Sequence, residues 1–128
     1  MKIKVLIVDD EKEVVESLER GLIKEGFDTV CAFDGIEAKN KILSDNPDVI
    51  LLDLVMPVLD GWGVLQWLRE EKKSFIPTII LSAKDGVSDM KRGYNLEADT
   101  YLVKPVSIED VVSGIKLVCS LGAEQDRV

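Results

Sequence analysis

The chain contains no histidine among its 128 residues, and this absence excludes several kinds of chemistry. Catalytic triads of the Ser-His-Asp and Cys-His types need an imidazole base, and His-bearing metal sites need an imidazole ligand. Cysteine is also scarce: the 2 cysteines, Cys31 and Cys119, show no CxxC spacing and no disulfide framework. Both lie within apolar segments, so we predict that they are reduced and serve as small hydrophobic residues.

The chain also has few basic residues and lacks long apolar runs. The sequence has 16 Lys and Arg residues and 24 Asp and Glu residues, which gives a net charge of −8. Nucleic-acid-binding domains, by contrast, are usually basic. The longest apolar stretches hold about five residues, and a membrane-spanning helix needs about 20. The first residues also lack the apolar segment of a signal peptide. We therefore expect a cytoplasmic protein with no direct contact to nucleic acid or membrane.

The remaining composition, 46% hydrophobic and 31% charged, is typical of one globular domain. Five short apolar runs are rich in Val, Ile and Leu and are bounded by Asp, Pro, Gly or Ser, as buried parallel strands tend to be. The runs cover residues 3–8, 27–33, 49–52, 78–81 and 100–103. We predict that each run forms one strand of a single sheet.

Segments with a helical spacing of apolar residues separate these runs. Their marker residues are Val14, Leu18 and Leu22; Ala38 and Ile42; Val64, Leu65 and Leu68; and Ile108, Val111, Val112, Ile115 and Val118. A less hydrophobic helix is predicted at residues 87–95. Strict alternation of strands and helices favours an α/β fold with a doubly wound parallel sheet. We predict one domain over residues 1–121 and a polar tail over residues 122–128 that frays.

A group of polar residues lies at or just after the ends of the apolar runs. The group comprises Asp9-Asp10, Asp53, Ser82, Tyr101 and Lys104-Pro105. Because a parallel sheet brings its strand carboxyl ends to one edge, we expect these residues to meet in one cleft. Carboxylates gathered there repel one another, by about 4 kcal/mol per pair at about 4 Å and an effective dielectric of about 20. A positive group must hold them together.

Asp9 and Asp10 allow two interpretations. In the first, Asp10 is the N-cap of the first helix and Glu13 completes a capping box, which explains one aspartate and not two. In the second, the pair supplies the hard oxygen ligands that Mg²⁺ prefers.

Asp53 lies between apolar neighbours, where a carboxylate is costly unless a cation or a hydrogen-bond donor compensates. Asp60-Gly61, by contrast, is interpreted as a turn and helix start with no chemical role. Trp62 and Trp67 are interpreted as packing residues. Asp53 is therefore the aspartate of this segment for which we expect a function.

Together these residues resemble the receiver domain of two-component response regulators, and the likeness covers nearly the whole chain. The Asp-Asp pair after the first strand, LLDLVMPVLDGW around Asp53, LSA at residues 81–83 and YLVKP at residues 101–105 occur in the family's order and spacing. The resemblance implies a CheY-like, flavodoxin-like (βα)5 fold with strand order 2-1-3-4-5.

The resemblance also implies the chemistry. Asp53 would accept a phosphoryl group from a histidine kinase or phosphotransfer protein, or from a small phosphodonor, since the chain has no histidine of its own. Asp10 and Asp53, with the backbone carbonyl of Val55, would bind Mg²⁺, and Asp9 would help directly or through water. Lys104 would supply a second positive charge to the phosphoryl oxygens.

A readout of the phosphorylated state is implied as well. Ser82 would hydrogen-bond a phosphoryl oxygen, and its movement would let Tyr101 rotate from an exposed to a buried position. The rotation would change the surface formed by the predicted helix at residues 87–95, the fifth strand and the last helix. A downstream effector domain or protein would then bind that surface.

The chain departs from the family pattern at several positions. Ser82 stands where Thr is commoner, and Glu97 replaces a usual Gly. Val55 and Lys84 occupy the two variable positions that tune dephosphorylation, and we predict that the apolar Val55 gives a comparatively long-lived phosphoryl group. Thr100 and Gly114 fall where the winged-helix DNA-binding class has a charged dimerisation network. We therefore expect a monomer or a weak phosphorylation-dependent dimer.

Two other functions stay open on the sequence. One is a pseudo-receiver, an interaction module of the same fold that is not phosphorylated. The other is a Mg²⁺-dependent phosphohydrolase, which would need a second Asp where Val55 stands. A receiver is not itself an enzyme beyond self-phosphorylation and slow autodephosphorylation. Whether the receiver stands alone or is part of a longer regulator, and which kinase and output it serves, are not indicated by the residues.

Overall fold

The structure is a computed structural model that describes residues 2–54, 56, 59–82 and 98–126, with only the backbone described for Ser82 and for residues 121–126. A five-stranded sheet forms its centre, and every strand pair in it is parallel. The strands are β1 (Lys4–Val8), β2 (Asp28–Ala32), β3 (Val49–Asp53), β4 (Thr78–Ser82) and β5 (Thr100–Val103). Their spatial order is β2-β1-β3-β4-β5, so the predicted order and fold are confirmed.

The described helices lie at the predicted places, between successive strands from β1 to β4 and after β5. They are α1 (Lys12–Lys24), α2 (Gly35–Asp45), α3 (Gly61–Gln66), which continues into a π-helical turn (Trp67–Glu71), and α4 (Ile108–Asp126). The helix predicted at residues 87–95 lies outside the described residues. Because α4 includes residues 122–126, no helix end marks the predicted boundary at residue 121, which stays a prediction. Within the described ranges, no helix combines the length and the apolar character that crossing a bilayer requires.

Successive residues of each central strand face opposite sides of the sheet, which gives two hydrophobic cores. Val5 and Ile7 of β1 pack with α1 and α4, whereas Leu6 and Val8 pack with α2 and α3. The buried residues of α1 are Val15, Leu18 and Leu22, so its inner face is rotated slightly from the predicted one and Val14 is half-buried. The sheet is thus covered on both faces, as parallel sheets require.

The helix starts are fixed by aspartates, with one correction to the prediction. Asp34 accepts a hydrogen bond from the N–H of Glu37 at 2.7 Å, and Asp60 accepts one from Gly63 at 2.9 Å. The predicted turn and helix start at Asp60-Gly61 is confirmed. The capping box is wrong: the N-cap of α1 is Glu11, with no side-chain cap, and the carboxylate of Asp9 accepts from the N–H of Glu11 at 3.0 Å. Asp9 is buried and takes this bond, whereas Asp10 is exposed.

Both cysteines are free thiols packed at the edge of the core. The Cys31 thiol donates to Glu19 at 3.0 Å. Burial raises the pKa of Cys31 to about 12, and the hydrogen bond and charge of Glu19 act in the same direction. Burial, with the charges of Asp48 and Asp99, also raises the pKa of Cys119. Both thiols are therefore protonated at neutral pH, in keeping with a structural role.

Candidate functional site

The carboxyl ends of β1 and β3 bring three aspartates together at one edge of the sheet. Asp9, Asp10 and Asp53 each offer a carboxylate oxygen, and these oxygens all lie within 4.8 Å of one another. Asp9 is 0% exposed and Asp53 is 5% exposed, whereas Asp10 faces solvent. The cluster is therefore walled by protein on one side and open to water on the other.

Lys104 is the positive group that the acidic cluster requires. It follows the last residue of β5, and its bond to Pro105 is cis. The Nζ atom lies 2.8 Å from Oδ2 of Asp9 and 3.3 Å from Oδ1 of Asp53, so one ammonium bridges both buried carboxylates. Residues separated by 95 and 51 positions in sequence thus meet as the sheet topology predicts.

The pKa of Lys104 reflects two opposing effects. Burial disfavours the charged form, but the hydrogen bond and charge of Asp9, followed by those of Asp53, outweigh it and raise the pKa above the ordinary 10.5. Lys104 is therefore an ammonium at any physiological pH. One such charge cannot neutralise three carboxylates, so the cluster together with Lys104 keeps a formal negative charge.

The chemistry of this donor set fits a hard divalent cation. Mg²⁺ prefers carboxylate oxygens and keeps several waters, so it needs a site that is acidic and open to solvent. The exposed carboxylate of Asp10 beside the buried carboxylates of Asp9 and Asp53 meets both conditions.

The response regulator receiver domain model matches residues 5–116 of the chain. The chain belongs to this family. Among solved structures, the receiver domain of Francisella response regulator 1452 shares 36% sequence identity at a TM-score of 0.88, covering 94% of this chain and 99% of that one.

Two further solved structures resemble this receiver domain. The Vibrio cholerae chemotaxis protein CheY4 shares 28% identity at a TM-score of 0.87, covering 92% of this chain and 99% of that one. A two-component response regulator from Clostridium difficile shares 26% identity at a TM-score of 0.85, covering 91% and 95% respectively. The fold and the family resemblance inferred from the sequence are confirmed.

The remaining predicted site residues are described to different degrees. Ser82 is the last residue of β4 and lies opposite Val103 in register, but its side chain is outside the described part. Tyr101 lies in β5, half-buried against the core on the α2 and α3 side. Val55 and Lys84 fall outside the described residues, as does Glu97. Their assigned roles therefore stay predictions.

Gly61 also borders this receiver site, although its sequence context predicts only a turn and a helix start. It begins α3, and its N–H donates to the carbonyl of Leu54 at 3.1 Å, directly beside Asp53. The Asp-Gly dipeptide indicates a turn, but nothing local in it shows which backbone the glycine approaches.

A cavity next to Lys104 was also missed. It measures about 470 Å³ and lies between α1 and the segment after β5. Its lining includes Val14, Leu18, Pro105 and Val106 together with Lys104. Helical periodicity placed Val14 and Leu18 on the inner face of α1 but gave no sign of how closely residues 104–106 approach that face.

Proposed function

We propose that this receiver domain is a phosphorylation-dependent switch in which Asp53 is the phosphoacceptor. One observation carries the proposal: the Lys104 ammonium bridges the buried carboxylates of Asp9 and Asp53, with the exposed Asp10 beside them. A purely structural ion pair would need one carboxylate for one ammonium. The excess of carboxylates suits a site that also receives positive charge and a phosphoryl group.

The transfer reaction needs one nucleophile and one leaving group. A carboxylate oxygen of Asp53 attacks the phosphorus of a phosphohistidine on a histidine kinase or phosphotransfer protein. The P–O bond forms as the P–N bond breaks, and the electron pair of the broken bond stays on the imidazole nitrogen. Lys104, 3.3 Å from Asp53 Oδ1, lies close enough to donate to a phosphoryl oxygen of the acyl phosphate. With a small phosphodonor such as acetyl phosphate, the same attack would break the donor's P–O bond, and acetate would leave with the electron pair.

Asp10 and Asp53 are the residues that would hold Mg²⁺, with Asp9 contributing directly or through water and the backbone carbonyl of Val55 completing the set. When bound, the metal neutralises charge on the phosphoryl oxygens and relieves repulsion among the carboxylates. Asp10 presents an exposed ligand, Asp53 presents the nucleophile, and the buried Asp9 orients Lys104 through its 2.8 Å contact. Burial separates the exposed Asp10 from the other two aspartates, and the shorter contact to Lys104 separates Asp9 from Asp53.

Readout of the phosphorylated state is assigned to Ser82 and Tyr101. Ser82 ends β4 beside β5, so a hydroxyl drawn toward a phosphoryl oxygen would make room near β5. Tyr101, half-buried in β5, is the side chain that would occupy that room. The changed surface would bind an effector domain or protein. Thr100 and Gly114 are uncharged, which supports a monomer or a weak phosphorylation-dependent dimer, and a cytoplasmic location is part of the same proposal.

The test is incubation with Mg²⁺ and acetyl phosphate, or with Mg²⁺ and beryllofluoride, read out by intact-protein mass spectrometry for the phosphoryl adduct and by NMR for beryllofluoride. We expect one adduct per chain, absent in D53N and absent when EDTA removes the metal. The variant D60N is the matched control, because Asp60 caps α3 next to the site without belonging to the acidic cluster. Continuous release of phosphate without adduct would point to a hydrolase, and neither adduct nor release would point to a pseudo-receiver.

A further inference from the structure

Gly61 lies against the backbone of Asp53 more closely than any side chain would allow. A Cβ atom at this position would fall well inside van der Waals contact of the carbonyl oxygen of Asp53 and would lie 2.9 Å from the Cα atom of Leu54. Carbon atoms normally pack at about 3.5–4.0 Å. The obstructing atoms belong to the backbone and cannot rotate away. The first residue of α3 and the last residue of β3 are therefore in direct backbone contact.

We propose that Gly61 is a positioning residue for the carboxylate of Asp53, an inference that rests on the proposed role of Asp53 as phosphoacceptor. The missing side chain lets the start of α3 press on the end of β3, and the hydrogen bond from Gly61 N–H to Leu54 O holds the two together at 3.1 Å. On its other side Asp53 is paired with Leu81 of β4. The backbone of Asp53 is thus held between a strand and a helix start.

The consequence for chemistry follows from the distances in the cluster. Asp53 Oδ1 lies 3.3 Å from Lys104 Nζ, at the outer limit of a hydrogen bond, so a backbone shift of a few tenths of an ångström breaks or remakes this contact. In-line attack on phosphorus needs comparable accuracy, and a misplacement of about 1 Å can reduce a rate by about 100-fold. An alanine at position 61 must move either α3 or Asp53.

Gly63 and Gly21 provide matched controls, because a Cβ atom at either position would contact side-chain atoms and not the backbone of Asp53. Gly63 lies in α3, close to Gly61 in sequence. A Cβ atom there would meet the Cδ1 atom of Leu59, which is the far end of a flexible side chain. A Cβ atom at Gly21 in α1 would meet side-chain atoms of Ile108. Alanine at either position crowds a side chain and leaves the backbone of Asp53 untouched.

The experiment compares G61A with G63A and G21A in the full chain. Calorimetric titration gives the Mg²⁺ dissociation constant, mass spectrometry gives the rate of adduct formation on Asp53 at saturating Mg²⁺, and urea denaturation gives the folded fraction. We expect G61A to be folded, to react at least about tenfold more slowly at saturating Mg²⁺ and to bind Mg²⁺ several-fold more weakly. Both controls should stay within about twofold of the unmodified chain in both quantities.

Any of three results would overturn the proposal: G61A within twofold of the unmodified chain, G61A slowed only by its unfolded fraction, or G63A and G21A slowed as much as G61A. If G61A is largely unfolded in buffer, the measurements are made in trimethylamine N-oxide, which favours the compact state. Failure to fold even there would make Gly61 a requirement of the fold and not a positioning residue.

The same data separate this inference from the proposed function. If the unmodified chain forms no adduct on Asp53, the proposed function fails, and the Mg²⁺ affinities of G61A and G63A still decide whether Gly61 positions the cluster. If the unmodified chain reacts, D53N does not and G61A reacts normally, the proposed function stands and the role of Gly61 is rejected.

Discussion

At the scale of single residues, the acidic cluster is shaped by unequal burial of like groups. Asp9 is fully buried and pairs with Lys104 at 2.8 Å, whereas Asp10, the next residue, faces solvent. Both residues lie between the end of β1 and the start of α1, where the chain leaves the sheet and only Asp9 points inward. One aspartate thereby holds the lysine in place, and the other remains free to meet an incoming cation. The sequence shows both residues, but only the fold distinguishes them.

Replacing Lys104 by methionine should therefore destabilise the protein when no metal is present. The change keeps the length of the side chain and removes the charge, which leaves Asp9 and Asp53 buried and facing each other. Removal of one partner from a buried pair typically costs about 3–5 kcal/mol, and the partial exposure of Lys104 points to a smaller loss of about 1–3 kcal/mol. Urea denaturation at pH 7 in EDTA measures the change in the free energy of unfolding.

The control for this prediction is K116M, because Lys116 is exposed on α4. Since the pKa of Lys104 is raised above 10.5, its contribution is complete below pH 10.5 and is lost only as the pH rises through the raised value. Urea denaturation at pH 7 therefore measures the full contribution of the Lys104 charge to stability. Equal stabilities of K104M and K116M would contradict the importance of the bridge.

At the scale of helices and strands, features set by a local sequence pattern could be predicted, whereas features set by contacts between distant residues could not. The strands were predicted to within one residue at every end because buried parallel strands are continuous apolar runs. The π-helical turn Trp67–Glu71 was not predicted, since its apolar spacing is that of an α-helix. The role of Arg69 was not predicted either. Its side chain is 5% exposed and joins this turn to Asp99, far along the chain.

Arg69 connects the middle of the π-helical turn to the starts of β4 and β5. Its guanidinium donates to the carbonyl oxygens of Ser74 at 3.0 Å and Ile76 at 2.9 Å, and it forms an ion pair with Asp99 at 3.3 Å. Asp99 in turn accepts from the N–H of Thr78, the first residue of β4, at 2.8 Å. One buried cation thus satisfies polar groups on two segments, the one before β4 and the one before β5.

The variant R69M should lose about 2–4 kcal/mol of unfolding free energy, because the carbonyls and Asp99 lose a charged donor in a buried place. The matched control is R20M, since Arg20 is exposed on α1. Urea denaturation measures both variants, and hydrogen exchange at the Thr78 amide reports local opening of β4. A loss in R69M no larger than in R20M would show that the contacts of Arg69 add little.

At the scale of the whole molecule, the site depends on the topology of the sheet. Asp9 directly follows β1, Asp53 ends β3 and Lys104 directly follows β5, so the three residues meet only when β1, β3, β4 and β5 lie side by side. The meeting of these residues could be predicted because a parallel sheet sends all carboxyl ends to one edge. Their distances and burial could not, since those depend on how α1, α3 and the segment after β5 pack.

Binding of Mg²⁺ to the cluster of three carboxylates would add to the stability of the whole fold. A ligand that binds only the folded state stabilises it by RT ln(1 + [L]/Kd), which is about 2.7 kcal/mol at about 100 times Kd. We expect Mg²⁺ to raise the free energy of unfolding of the unmodified chain by an amount that grows with its concentration. The unfolded chain has no such cluster, so Mg²⁺ stabilises the unfolded state little.

The variant D10N separates this effect from general screening of the acidic surface. It removes the exposed carboxylate of the cluster, so the repulsion on Asp9 and Asp53 falls and the stability in EDTA should stay equal or rise slightly. Its stabilisation by Mg²⁺ should be largely lost, whereas D28N, at an exposed aspartate of β2, should keep the full effect. Urea denaturation over a Mg²⁺ series at constant ionic strength measures both. Equal Mg²⁺ dependence in D10N and D28N would mean that the ion acts on the surface charge and not at the cluster.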